Sequence, residues 1–426
     1  MSVTPAGGLD AIVGPAGLRG PDVTRDRISS VVPTLVAEPD TPEQVAQVLA
    51  WCARERQTVV LRGAGTKMGW GRVPSDVDVL LSMHRLNRVI AHEHGDLTTT
   101  VEAGTRLGDL NEALARHGQY LPIDPPSGDG ATVGGLLATN DSGPLRHRFG
   151  TPRDLIIGIQ MATTEGVLAK AGGRVVKNVA GYDLSKLLTG SFGSLAAITS
   201  ATFKLSPLPR DSGTVVIATP DDADLSQLIR EVMDSQVDLT SFEVAVDVGL
   251  AESAAGSRHI LLRCCSLTGS VAPQLEELTR FVSATPRRVD VVTGQHEHAL
   301  WRRVPVLSGD STRAAAVRVS WLPADLDRVL LAAREATAEI PALLNGRAAL
   351  GAGQILLGGN AEQQAHAVER LRSSSAIGNV VLMRGSSDLK SRVDVWGPPR
   401  NIQSVMAALK NAFDPHGVLN AGRGPV

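Results

Sequence analysis

Cysteine is scarce in this 426-residue chain: there are three, Cys52, Cys264 and Cys265. That is too few for a disulfide framework, and the adjacent pair lacks the spacing of a zinc or iron–sulfur site. A reducing, cytoplasmic compartment is the expectation, with membrane association only through partners. Aromatic residues make up 3%, which leaves few platforms on which bases could stack. The formal net charge of -2 gives no electrostatic footprint for nucleic acid or for an anionic membrane. No run of about 18 apolar residues occurs, so no membrane span is expected, and the opening "MSVTPAGGLDAIVGPAGLRG" has no basic segment ahead of an apolar one.

What the chain has is length, an ordinary apolar content of 43% and 43 glycines. At roughly 150 residues per domain, two or three domains are expected. Residues 1–27, rich in Gly and Pro and without periodicity, read as a loosely ordered arm. In "TPEQVAQVLAWCARERQ", Thr41 is placed to cap a helix, Pro42 to open it, and Val45, Val48, Leu49 and Cys52 to share its buried face, with an end before Gln57. "TVVLR" and "VDVLLS" read as strands and "GDLNEALARHG" as a short helix. A break falls at "SPLPRDSG", residues 206–213. Beyond it, helical periodicity in "DLSQLIREVMDS", "APQLEELTRFVS" and "DLDRVLLAAREA" alternates with strand-like "TSFEVAVDV", "HILLRCC" and "AAAVRVSWL", which predicts helices on an antiparallel sheet. No internal repeat is visible in the sequence.

The stretch "VVLRGAGTKMGWG", residues 59–71, sets four glycines directly behind a β-branched run. Glycine permits positive φ and removes the Cβ that blocks close approach, so consecutive N–H groups can converge on an anion such as a pyrophosphate. A Rossmann loop would open a helix, whereas Gly63-Ala64-Gly65 runs on into Pro74 without helical periodicity. A Walker A loop needs a different order and spacing from Thr66-Lys67. Taken alone, the stretch is equally a glycine-rich connection between two strands. Two further stretches bear on the choice. "LPIDPPSGDGATVGGLLATNDSG" can lay bare backbone along a flat heteroaromatic ring, and "GGRVVKNVAGYDLSKLLTGSFGSLAAITSATFKLSPLP" follows at 172–209.

In this order the three stretches resemble the FAD-binding domain of the vanillyl-alcohol oxidase/para-cresol methylhydroxylase family, and "FDPHGVLNAGR", 413–423, is similar to that family's closing motif. Within the family, "VKNVAGYDLSKLLTGS" and "VLMRGSSD" are most similar to glycolate-oxidase subunits. The resemblance covers about residues 30–209 and the tail. It implies an α+β fold: a two-subdomain FAD-binding domain over 28–209, a ferredoxin-like α+β cap or substrate domain over 210–405, and a tail, 406–426, packing back on the FAD domain. Any active site is expected between the two domains.

By the same resemblance, Arg62, Gly63, Ala64, Gly65, Thr66, Lys67 and Gly69 form a pyrophosphate loop, with Arg62 and Lys67 adding charge. Pro125, Ser127, Thr132, Gly134, Gly135, Thr139 and Ser142 line the flavin ring and ribityl chain, Gly181 and Ile198 approach the cofactor through their backbones, and Tyr182 and Asp183 support them. Residues 62–71 hold no histidine, so the FAD is expected to be non-covalent. Phe192 replaces the glutamate of the family's Gly-Ser-Glu-Gly-Thr, and Ala421 replaces a proline.

Catalytic members of the family tend to carry a histidine-rich metal cluster. Here the local cluster is "QHEHALW", and a solvated face is the expected role of His296, Glu297 and His298, with no metal assigned. Arginine is then the best remaining carboxylate clamp, and Arg318 and Arg384, within apolar strand-like runs, are the candidates, each with a buried ion pair or a backbone clamp as the weightier alternative. His117, His147 and His296 read as surface residues, and no general base is evident. The functional expectation is an FAD-dependent oxidoreductase taking hydride from a small 2-hydroxy acid, glycolate or lactate, to flavin N5 within a multi-subunit complex. The partners would be a catalytic flavoprotein and an iron–sulfur subunit. The alternatives are a non-catalytic FAD-carrying accessory subunit and an oxidase of a sugar or aldonolactone.

Overall fold

The computed structural model describes residues 8–173, 181–219, 224–248, 258–267, 269–282, 288–304, 315–398 and 401–425. Their chain path divides into two compact units: one within Met1–Ser142, Gly150–Pro207 and Pro399–Val426, the other within Gly143–Phe149 and Leu208–Pro398.

The first unit holds two main sheets. Strands β1 (Leu18–Arg19), β2 (Leu35–Ala37), β3 (Val59–Arg62) and β4 (Val79–Ser82) form a sheet in the order β1-β2-β4-β3, with β2, β4 and β3 parallel. Strands β5 (Val89–Glu93) and β6 (Thr98–Glu102) join β8 (Ile156–Ala162), β9 (Leu168–Gly172) and β10 (Ala197–Lys204) in an antiparallel sheet ordered β5-β6-β10-β8-β9. A two-stranded ribbon pairs β7 (Gln119–Tyr120) with β11 (Ser206–Pro207). The two sheets are the expected pair of subdomains.

The helix Pro42–Arg54 begins where the sequence indicates. Thr41 accepts from the Gln44 N–H, Pro42 stands at the first turn, and Val45, Val48, Leu49 and Cys52 are buried. Such a cap is worth about 1 kcal/mol. Residues 8–27 are not the expected loose arm. A helix at Leu9–Val13 buries Leu9 and Val13 in the same cluster as Trp51, and β1 pairs with β2. The apolar content of "LDAIV" is too short to show periodicity, yet long enough to fill one site in a core.

In the second unit, β12 (Asp211–Thr219), β13 (Ser241–Asp247), β14 (Arg258–Ser266), β15 (Arg288–Thr293), β16 (Ala315–Ser320), β17 (Ala342–Arg347), β18 (Ala352–Leu357) and β19 (Asn379–Arg384) make one eight-stranded antiparallel sheet. Its order is β15-β12-β14-β13-β17-β18-β16-β19. With the helices Leu225–Met233, Val271–Val282, Leu326–Ala336 and Ala361–Ser373 interleaved, the element order is β-α-β-β-α-β twice, each half with ferredoxin-like strand order. The halves join edge to edge through the antiparallel pair β13–β17. The expected ferredoxin-like cap is thus a doubled one, a repeat of topology where the sequence shows none.

Period-2 alternation decides the faces of this sheet. Phe242, Val244 and Val246 of β13, and Val317 and Val319 of β16, join the core with the helices. The intervening residues turn to the opposite face. The segment Gly143–Phe149, expected inside the first domain, clusters with this unit instead. Its short helix Arg146–Phe149 packs against β13, and Arg148 pairs with Asp238.

Candidate functional site

In the first unit, β3 ends at Arg62 and the chain opens into a loop of bare backbone. The N–H groups of Gly63, Ala64, Gly65 and Thr66 find no acceptor among the described residues. They line a cleft together with Lys67, Met68, Thr132, Gly134, Gly135, Ala138, Thr139 and Ile198. A Cβ on Gly63 would fall 1.9 Å from Thr132 Oγ1, and one on Gly134 would meet the Ala103 Cβ at 2.9 Å. Glycine at 63 therefore brings the loop against Thr132 at the start of the helix Val133–Thr139, and glycine at 134 lets that helix close on Ala103.

The structure gathers Arg62 to Lys67, Thr132, Gly134, Gly135, Thr139 and Ile198 around this cleft; Gly69, Pro125, Ser127, Ser142 and Gly181 are not among its lining. Gly181 lies on an exposed turn at φ +83°. The motif that precedes it, Arg174 to Ala180, falls outside the described residues. Tyr182 is 93% exposed, and Asp183 caps the helix Leu184–Leu188 by accepting from the Lys186 N–H.

The expected charge contribution of Arg62 needs correction. Its Nη1 donates to Asp26 Oδ1 at 2.6 Å, and Arg19 pairs with the other oxygen of the same buried carboxylate. These two guanidinium groups hold the Asp26 carboxyl well below the usual carboxylate range against the opposing cost of burial. Arg62 is therefore neutralised by its own surroundings.

Lys67 is the contrary case. It is 9% exposed, and its ammonium is buried without a hydrogen-bonding partner. Its nearest anion is Asp141, at 3.5 Å. Burial pulls the lysine pKa down, and Asp141 opposes that shift. A desolvated cation in a cleft lined by free N–H groups suits an anionic ligand.

Further lining residues come from outside the candidate set, among them Phe192, Asn420, Arg423 and Ala103. Phe192, at φ +59°, donates its N–H to Ala138 O. Asn420 reaches from the tail to accept from the Leu61 N–H and donate to Phe192 O. Arg423 donates to the carbonyls of Met68 and Trp70 and lies over the Phe192 ring, 5.5 Å from its centroid. Ala103 backs the helix start. The tail motif "LNAGR" was the available signal for Asn420 and Arg423.

In the second unit, Arg318 stands between Val317 and Val319 and so lies on the face away from the helices. Arg384 is opposite Ala316 and shares that face. Arg384 is half-buried with an unpartnered Nε, and burial lowers its pKa. The same face carries Glu243 of β13 beside Arg347 of β17, a carboxyl and guanidinium pair that periodicity alone does not single out.

The "QHEHALW" segment is a helix, Gly294–Arg303. Glu297 is fully buried and accepts from Arg263 and Ser212, while His296 and His298 are exposed. Among the described residues no group of histidine, cysteine and carboxylate side chains is placed to hold a metal. His147, expected on the surface, is half-buried against Phe242 and its pKa is lowered by burial.

A paired-sheet domain whose cleft exposes consecutive glycine-loop N–H groups, followed by a doubled ferredoxin-like domain, defines a flavin-nucleotide-binding protein of the two-domain type. Comparison with known proteins agrees. The family described as FAD binding domain matches residues 33–172. The chain is 29% identical over 206 residues, 48% of its length and 44% of the relative's, to glycolate oxidase subunit GlcD of Bacillus subtilis (strain 168). It is 36% identical over 171 residues, 40% of its length and 47% of the relative's, to glycolate oxidase subunit GlcE of Escherichia coli (strain K12). The matches thus span about half the length of these curated relatives. The structure of p-cresol methylhydroxylase with substrate bound superposes with a TM-score of 0.76 at 15% identity, over 98% of this chain and 95% of that one. Residues 33–172 thus form an FAD binding domain, the chain shares the fold of p-cresol methylhydroxylase, and its cofactor is FAD.

Proposed function

We propose that the protein is a subunit of a glycolate-oxidase-like complex that oxidises a small 2-hydroxy acid, glycolate or lactate, to the 2-oxo acid. The observation that carries the reading is the first unit's cleft, with its four free N–H groups and buried Lys67. The names of the relatives, both glycolate oxidase subunits, support the substrate class and the presence of partners. Bound FAD would supply the two-electron acceptor. The chain's own part is to hold the diphosphate on Gly63, Ala64, Gly65 and Thr66, to place Thr132, Gly134, Gly135, Thr139 and Ile198 along the cofactor, and to leave it non-covalent. Pro125, Ser127, Ser142 and Gly181 act behind or beyond the cleft lining. Arg318 and Arg384 are the proposed clamp for the substrate carboxylate, since a planar guanidinium makes two parallel hydrogen bonds to it.

The second reading, an FAD-carrying accessory subunit, draws on the 36% identity to a subunit designated separately from GlcD. One experiment separates the two. The purified, flavin-loaded chain is mixed anaerobically with glycolate, D-lactate and L-lactate in turn, and the visible flavin absorbance is followed. Bleaching by one acid establishes a dehydrogenase competent without partners. A yellow protein that no acid bleaches leaves the accessory reading, and a protein that takes up no FAD refutes both.

A further inference from the structure

Three loops of the first unit meet at one carboxylate. Lys67 follows β3, Asp141 follows the helix Val133–Thr139, and Ser127 belongs to the proline-rich segment before that helix. Asp141 is 3% exposed; its Oδ2 accepts from Ser127 Oγ at 3.0 Å and faces Lys67 Nζ at 3.5 Å. Lys67 lines the cleft, whereas Asp141 and Ser127 do not. An ammonium has three donors, and this one is buried with a single long contact, to Asp141 at 3.5 Å, so at least two donors are left without an acceptor among the described residues. A purely structural ion pair closes such a group with further acceptors, because an unsatisfied buried donor costs about 1–3 kcal/mol.

We propose that Lys67 is the charged seat for the anionic part of the flavin nucleotide, and that Asp141, steadied by Ser127, is the positioning residue that presents it. The proposal rests on the flavoprotein reading above and goes beyond it by assigning Asp141 and Ser127, outside the glycine loop, the task of holding Lys67 charged and in place. It also makes cofactor affinity depend on pH. Desolvation favours the neutral amine, and Asp141 is the group that favours the ammonium. The other charged groups lining the cleft are Arg62, occupied by Asp26, and Arg423, whose guanidinium serves two loop carbonyls. The Trp70 ring lies 5.8 Å from Lys67 Nζ. Burial pulls the Arg423 pKa down to about 10.

The test is equilibrium binding. The full-length chain is stripped of flavin and titrated with FAD, following the quenching of flavin fluorescence, at several pH values from about 6.5 to 9, below the range where Arg423 titrates. Wild type should bind FAD more weakly at the alkaline end, as Lys67 loses its proton. In Asp141→Asn that decline should begin at lower pH. In Lys67→Arg it should vanish, since arginine keeps its charge, and Lys67→Met should bind about ten- to a hundredfold more weakly at pH 7 with no dependence on pH. Ser127→Ala should move the decline in the same direction as Asp141→Asn, by less. Should Asp141→Asn fail to fold, the Lys67→Arg profile alone decides. Profiles for Lys67→Arg and Asp141→Asn that match wild type overturn the inference and leave the flavoprotein reading standing. A wild-type chain that binds no FAD at any pH overturns both.

Discussion

Replacing Glu243 by glutamine should change how the stability of the second unit depends on pH while leaving its sheet intact. Glu243 sits on β13 at the seam between the two ferredoxin-like halves, directly across from Arg347 of β17. It is 3% exposed, its Oε1 lacks a hydrogen-bonding partner, and the nearest guanidinium nitrogen is 4.0 Å away. Burial pushes the carboxyl up to about 7, and Arg347 offsets only part of that. The folded chain therefore binds a proton that the unfolded chain, with the ordinary carboxyl value of 4.5, releases earlier. Between these two values the folded state holds more protons, so stability falls as pH rises. The contribution is complete below about pH 4.5 and has been lost once pH passes 7. At 1.36 kcal/mol per unit, the loss is about 3 kcal/mol.

Glutamine has no such titration, so the stability of wild type relative to Glu243→Gln should drop by about 3 kcal/mol between pH 5 and pH 8. For a domain of this size each kcal/mol moves the midpoint by about 2–4 °C. Thermal unfolding of both proteins by circular dichroism at pH 5, 6, 7 and 8 measures the gap, and comparing them at each pH cancels effects common to both. Hydrogen exchange at β13 and β17 assigns the change to this unit, as a two-unit chain need not unfold in one step. A gap that does not change with pH refutes the reasoning, and a gap of opposite slope shows that Arg347 holds an ionised carboxylate.

Other consequences can be checked separately. Gly63→Ala, whose new Cβ would fall 1.9 Å from Thr132 Oγ1, should lose FAD binding by at least about tenfold while its circular dichroism spectrum is kept; wild-type affinity would show that the loop yields easily. Asp26→Asn leaves Arg62, and in part Arg19, without a counter-charge and should cost about 3 kcal/mol in urea unfolding, with a loss under about 1 kcal/mol counting against a buried network. Burial pushes the thiols of Cys52 and Cys264 up to about 12 and raises that of Cys265. A thiol reagent at pH 8 should therefore label the native chain slowly and all three cysteines promptly after denaturation; fast labelling of native protein would contradict this.

The parts of the site legible in the sequence share one property: the physical requirement sits at the residue itself. Gly63 and Gly134 can be read as close-approach positions because no other residue lacks a Cβ, and Thr41 with Pro42 marks a helix start because the cap acts within one turn. What stayed hidden depends on partners far along the chain. Arg62 looks like a free cation until Asp26, in the segment expected to be loose, is found beside it. Asn420 touches Leu61 and Phe192 across separations of 359 and 228 residues, and no local pattern carries such a contact. The doubled cap was concealed for a related reason. Its two halves share strand order but not sequence, and what a ferredoxin-like half requires is alternation along strands and one apolar stripe per helix, which many unrelated residues satisfy. The helix Ala361–Ser373, "AEQQAHAVERLRS", shows that stripe as Ala365, Ala367, Val368 and Leu371. Topology can therefore repeat without any residue repeating, whereas a cleft that must admit a diphosphate constrains single positions and leaves a readable trace.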